Sequence, residues 1–240
     1  MSIKHKVFTG LAIALLLILA PSALVQAQEV DVDLIWEAES YTPVLYDGKS
    51  RYTPGASVTL QAVPYRVGTG ETIDPAVTEF TWKVNGRQMR QGVGEDAFVF
   101  NGSTQKEHTI SVTLRNSNKI SQSVTLKPSA PEVVLYPESP LYGTQSAFAL
   151  MGTFHMRDQE ATIRAVPYYF TVASAVDLGL LYRWSVNGED IDQDLTGDDA
   201  SALTMRAPEG NGSAHLGLEV EKQNSLYHLV RDQLNVRYGL

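Results

Sequence analysis

The densest run of metal-capable side chains in the chain is GEDIDQDLTGDD, residues 188–199. Asp190, Asp192 and Asp194 stand at alternate positions, the spacing with which a loop wraps hard oxygen ligands round Ca²⁺. The pattern then breaks, because Leu195 stands where the turn glycine belongs and Ser201 where the closing acid belongs. Asp198, flanked by Gly197 and Asp199, offers an irregular replacement ligand. Two readings follow: a Ca²⁺ site on Asp190, Asp192, Asp194 and Asp198, or a solvated acidic loop. No other cofactor is expected.

Aromatic residues form the second candidate. Tyr41, Tyr46 and Tyr52 lie in the Gly/Pro-punctuated stretch SYTPVLYDGKSRYTPG, and Tyr168, Tyr169 and Phe170 stand in a row in VPYYFT. Exposed, these rings would stack on sugar rings or anchor a protein contact; otherwise they pack over the ends of the fold. Catalytic chemistry has less support. His108, His215 and His228 fall on expected strands among apolar neighbours, and His155 has only Asp158 and Glu160 nearby. There is no Gly-x-Ser-x-Gly elbow and no zinc-ligand spacing, so the chain is read as a non-enzyme. Asn101 and Asn211 each open an Asn-Gly-Ser triplet, formally a glycan acceptor but read here as a turn before a strand.

Composition narrows the setting. Lys4 and Lys6 precede the apolar stretch VFTGLAIALLLILA, and Val25 and Ala27 occupy the −3 and −1 positions of a small-residue cleavage site. Residues 1–27 therefore read as a signal peptide, or, uncleaved, as an N-terminal anchor and the one expected route to a membrane. Without Lys4 and Lys6 the remainder carries 17 Lys+Arg against 27 Asp+Glu, a net charge of −10. That sign excludes nucleic acid as a partner, since phosphates need a basic footprint. The absence of cysteine in an exported chain points to the bacterial periplasm, envelope or cell surface, with cores held by apolar burial alone.

The elements that carry these residues are written twice. SVTLQAVPY at 57–65 returns as EATIRAVPY at 160–168, and FTWKVNG at 80–86 returns as YRWSVNG at 182–188, offsets of 103 and 102. Two copies of one domain explain the order and the spacing. Val58, Leu60 and Ala62, then Phe80, Trp82 and Val84, alternate with polar residues, as do Tyr182, Trp184 and Val186. Period-two alternation marks strands with one buried face, and Asn-Gly after each Trp strand is a hairpin signal. Pro64 and Pro167, at matching places, are expected to end or bend their strands. Seven or so short strands per copy, with Trp82 and Trp184 as core plugs, give an all-β fold of two tandem immunoglobulin-like β-sandwiches. The expected boundaries are 29–128 and 131–240, joined by the short proline linker LKPSAPEV with limited swivel.

The Trp strands FTWKVNG and YRWSVNG, each ~20 residues after an alternating strand, resemble polycystic-kidney-disease (PKD) and related bacterial Ig-like domains. PKD domains read Trp-x-Phe-Gly-Asp-Gly there and this chain has Val-Asn-Gly, so the resemblance is to the wider Ig-like group. It implies a spacer, adhesion or scaffolding module without catalytic residues. The expected function is thus a non-enzymatic, exported envelope or surface protein acting through another envelope or surface protein. A glycan-binding protein using the Tyr-rich loops is the alternative.

Overall fold

The structure, a computed structural model, describes residues 29–44, 46–102, 104–115, 119–192 and 199–239. The N-terminal segment 1–27 and the acids Asp194 and Asp198 lie outside the described residues. Among the described residues no helix is long and apolar enough to cross a membrane.

The first half contributes seven strands: β1 (Val30–Ala38), β2 (Ser57–Arg66), β3 (Glu79–Val84), β4 (Arg87–Val93), β5 (Ala97–Asn101), β6 (His108–Leu114) and β7 (Ile120–Leu126). They form two sheets, β1-β2-β5 and β4-β3-β6-β7, with every pairing antiparallel. The second half repeats the plan. Its strands are β8 (Glu132–Ser139), β9 (Gly143–Thr144), β10 (Thr153–His155), β11 (Glu160–Tyr168), β12 (Leu180–Val186), β13 (Glu189–Asp190), β14 (Ala202–Arg206), β15 (Gly212–Lys222) and β16 (Leu229–Tyr238). They order as β14-β11-β8-β9 and β10-β16-β15-β12-β13. The protein is two tandem Ig-like β-sandwiches. The second differs in its split first strand, whose later part, β10, crosses to the other sheet and pairs parallel with β16.

Alternation in the sequence becomes two separate cores. One gathers Val58, Leu60, Phe80, Ile110, Val112 and Leu114 round Trp82; the other gathers Ile163, Tyr182, Leu216, Leu218 and Val220 round Trp184. The indoles are 0% and 2% exposed. Burial of an indole requires a partner for its N–H, and both copies solve this alike. Trp82 Nε1 donates to the carbonyl of Glu95 (2.7 Å), two residues before β5, and Trp184 Nε1 to that of Ala200 (2.9 Å), two residues before β14. The indole thus ties its own sheet to the opposite one.

The hairpins after each Trp strand take the expected form. Asn85 and Gly86 have φ of 50° and 80°, and Asn187 and Gly188 of 54° and 87°, the doubly positive turn that suits the right-handed twist of the strands. Each asparagine also accepts through Oδ1 from a strand N–H, Thr109 in one copy and His215 in the other.

Pro64 and Pro167 do not end the pairing of their strands, which is a correction. Pro64 pairs with Val32 and Pro167 with Val133, inside continuous ladders. The reason lies on the opposite edge. Ala62 N–H bonds Asp96 and Ala165 N–H bonds Ser201, the outermost contacts with β5 and β14. Two residues on, β5 and β14 have ended, so neither proline interrupts a ladder with them.

Replacing Trp82 with Phe retains an aromatic ring but strands the Glu95 carbonyl, and the expected loss is about 1–3 kcal/mol. Trp82→Ala, which leaves a cavity as well, should cost about 3–5 kcal/mol. The urea midpoint of the first domain measures both.

Candidate functional site

The tyrosine loops meet each other. The segment between β1 and β2 in the first domain reaches across to the segment just after β11 in the second. Tyr41 N–H donates to the Phe170 carbonyl and Tyr169 N–H to the Tyr41 carbonyl, each at 2.7 Å, a pair of reciprocal backbone bonds joining the domains. The side chains add to this: the Tyr169 hydroxyl donates to that of Tyr46 at 2.7 Å. Tyr46 meets Tyr168 and Tyr169 edge-on, with centroids 5.9 and 6.1 Å apart. Arg51 lies 4.9 Å from the Tyr169 ring centroid, a cation–π contact, and the Tyr136 and Tyr168 hydroxyls bond at 3.0 Å. Burial, with the bond to Tyr46, pushes the Tyr169 phenol up to about 12, and burial with the Tyr136 bond raises Tyr168 too. Tyr169 sits in the left-handed region at φ 62°, uncommon for a bulky residue and held here by its bonds to the other domain.

Of the two expected placements, exposed faces or packing over the ends of the fold, the tyrosines take packed ones. Tyr52 is 1% exposed, packed against Phe100 and His108 in the first core, and Tyr169 is 3% exposed in the seam. Tyr41, Tyr46 and Tyr168 are half-buried between the domains. A flat ring offered to a sugar needs an open face, and those of Tyr52 and Tyr169 are occupied by protein. The linker is held as well, since Ser129 N–H donates to the Tyr52 carbonyl at 2.8 Å.

Sequence reasoning missed the seam's other side. Thr53 is 0% exposed and His228 1% exposed, and the Thr53 hydroxyl lies 3.5 Å from His228 Nε2. Ser225 Oγ approaches Nδ1 at 2.5 Å, and the Phe170 ring centroid is 5.7 Å from that of the imidazole. His228 precedes β16 rather than lying within it. Its position in an apolar stretch read as core, and no local pattern distinguishes a residue buried by its own sheet from one buried by a neighbouring domain.

The acidic loop divides. Asp190 pairs with Ser185 in β13 and is exposed, as is Asp192, while Asp194 and Asp198 are not described. Among the described residues no group of three His, Asp or Glu side chains is arranged to hold a metal. Asp199, beside the expected ligands, accepts from Arg164 Nη1 at 2.7 Å and from the Ser201 hydroxyl at 2.5 Å. Arg164 also forks onto Glu138, with Nη2–Oε1 at 2.9 Å. Burial alone would raise the Asp199 carboxyl; the bonds from Ser201 and Arg164, with the guanidinium charge, outweigh it and hold it below its ordinary value.

The remaining candidates stay apart. His155, Asp158 and Glu160 are all exposed. His108 bonds Thr104 at 3.2 Å, and His215 Nδ1 bonds the Asn235 side-chain oxygen at 3.1 Å. Asn101 is the last residue of β5, and Asn211 lies in the bend before β15.

No family model matches the chain, and no curated protein does. Among solved structures it is similar to the three N-terminal domains of the highly immunogenic outer capsid protein (Hoc) of bacteriophage RB49. There the identity is 14%, over 88% of this chain and 59% of that one, with a TM-score of 0.44. The chain thus spans less than two thirds of the Hoc structure. It is also similar to the fibronectin(III)-like modules of CbhA from Clostridium thermocellum (10% identity, 85% and 94% of the chains, TM-score 0.27). Immunoglobulin domains 1–4 of Sidekick-1 are similar too (11%, 84% and 74%, 0.28).

Arg164→Met leaves two carboxylates facing each other without their cation. Because Asp199 is 38% exposed on its side chain, solvent screens the loss, and roughly 1–2 kcal/mol is expected rather than the value for a fully buried pair. A carboxylate with a depressed folded value stabilises above its unfolded value, near pH 4, and loses that contribution as pH falls through the folded one. Urea titrations below pH 4 should therefore show the variant converging on the parent.

Proposed function

We propose that the protein is a non-enzymatic structural spacer or assembly module, exported to the bacterial envelope or cell surface, whose two domains act as one rigid unit toward another protein. The observation that carries this reading is the seam: two backbone hydrogen bonds at Tyr41, one donated and one accepted, a tyrosine cluster and a buried Thr53–His228 contact join the domains in addition to the short linker. Interfaces between domains of one chain are by default polar and mobile, and this one is ordered by main-chain pairing. Export is supported by the basic, then apolar, then small-residue pattern of residues 1–27. The acidic balance supports a protein partner over nucleic acid.

One observation favours glycan binding as a second reading. A groove of about 860 Å³ opens between the domains, lined by Ser40, Tyr41, Thr42, Thr171, Asp177 and Lys222. Hydroxyls and carboxylates suit sugar hydroxyls as donors and acceptors.

NMR relaxation on the exported protein at pH 7.5 tests the rigid unit. Both domains should share one rotational correlation time. The double variant Tyr46→Ala, Tyr169→Ala should give each domain its own shorter time without loss of β structure. Independent tumbling of the parent would end the reading. Retention on immobilised glycans that Thr171→Ala, Asp177→Ala abolishes would favour the second reading instead.

A further inference from the structure

His228 is buried between residues of both domains. Thr53 comes from the turn before β2 in the first domain, and Phe170 from the segment after β11 in the second, which itself carries the bond to Tyr41. Gly55, at φ +90°, brings the turn close enough that a Cβ there would lie 4.0 Å from His228 Cε1. A neutral imidazole suits this site, because one nitrogen accepts and the other donates, matching the Ser225 and Thr53 hydroxyls on its two sides. A charged imidazole has two donors and needs an anion.

None faces it. The turn before β2 presents Thr53 and Gly55, the segment after β11 presents Phe170, and the ring's own loop presents Ser225. The charged group that acts on the ring is Lys222, on β15, whose ammonium bonds Thr171 and whose sign opposes protonation. The seam's carboxylates are engaged elsewhere: Asp177 with the N–H groups of Ala173 and Gly179, Glu132 with Arg51 at 4.0 Å.

We propose that His228 is the latch of an acid-operated hinge: once protonated, its ring cannot stay between Thr53 and Phe170, and the two domains release their seam while each sandwich stays folded. The inference rests on the rigid-unit reading above. The sign follows from linkage. Burial, then Lys222, pushes the imidazole down to about 4 in the closed seam, whereas an open seam returns it to about 6.5. The closed form binds fewer protons over that window, so the closed-to-open ratio is unaffected above about pH 6.5 and falls by up to roughly tenfold per pH unit below it, levelling off near pH 4. The cores hold no ionisable group equivalent to this one: the other three histidines of the described residues are His108, His155 and His215, none of them buried.

Small-angle scattering of the exported protein from pH 7.5 to 4.5, with circular dichroism on the same samples, tests this. The expected result is a constant compact profile down to about pH 6.5, then a reversible rise in maximum dimension with unchanged β signal. His228→Gln, neutral at every pH, should remove the transition, and Lys222→Met should weaken it by easing protonation of the closed form. A parent profile unchanged down to pH 4.5, or an equal transition in His228→Gln, overturns the proposal and leaves the rigid unit standing. A profile already extended at pH 7.5 overturns both. Where His228→Gln proves unstable, Thr53→Val carries the test: with the closed seam weakened, an opening that sets in at higher pH than in the parent supports the latch, and an unchanged curve refutes it.

Discussion

Each sandwich is closed by the need of one buried indole N–H for an acceptor. Trp82 reaches the Glu95 carbonyl and Trp184 the Ala200 carbonyl, and in both copies the acceptor stands two residues ahead of the strand that completes the opposite sheet. An unbonded N–H at that depth would cost more than most single contacts contribute. The position of β5 and β14, and hence the depth of each core, is set by this requirement.

Around that shared constraint the copies have diverged. Gln61 Nε2 donates to Asp96 at 2.6 Å in the first domain; 103 residues later Arg164 takes the same relation to Asp199 and adds Glu138. A carboxylate bonded by an uncharged amide at one place corresponds to a three-member network built round a guanidinium at the other. The split of the first strand into β8 and β10 is likewise confined to the second copy.

What could be read from the chain was what is encoded locally. The alternation at Val58–Ala62 and Phe80–Val84 faces the core because side chains on a strand point to opposite sides in turn. Asn85-Gly86 and Asn187-Gly188 turn as expected because their positive φ is a property of those two residues. Pro64 and Pro167 were misjudged because a proline's effect depends on where the neighbouring strand stops, and that strand lies over 30 residues away. The seam was illegible for the same reason: Tyr41 and Tyr169 are 128 positions apart, and no periodicity marks two loop surfaces that fit each other. The partner of Asp199 is equally remote, for Arg164 stands 35 residues upstream.

The direction of the strands bears on mechanics. Val30 opens β1 at the end of the first domain far from Tyr41, and Tyr238 closes β16 at the end of the second far from His228. Tension applied between those points would run through both sandwiches and the seam in series. β1 is held to β2 by nine facing pairs, and β16 is gripped between β15 and the parallel β10. These rows lie along the pull, so they would yield in shear, many bonds at once, while the few contacts round Tyr41 and Tyr169 would part first. The seam is then the compliant joint of a strong strut, extending under load before either core is threatened.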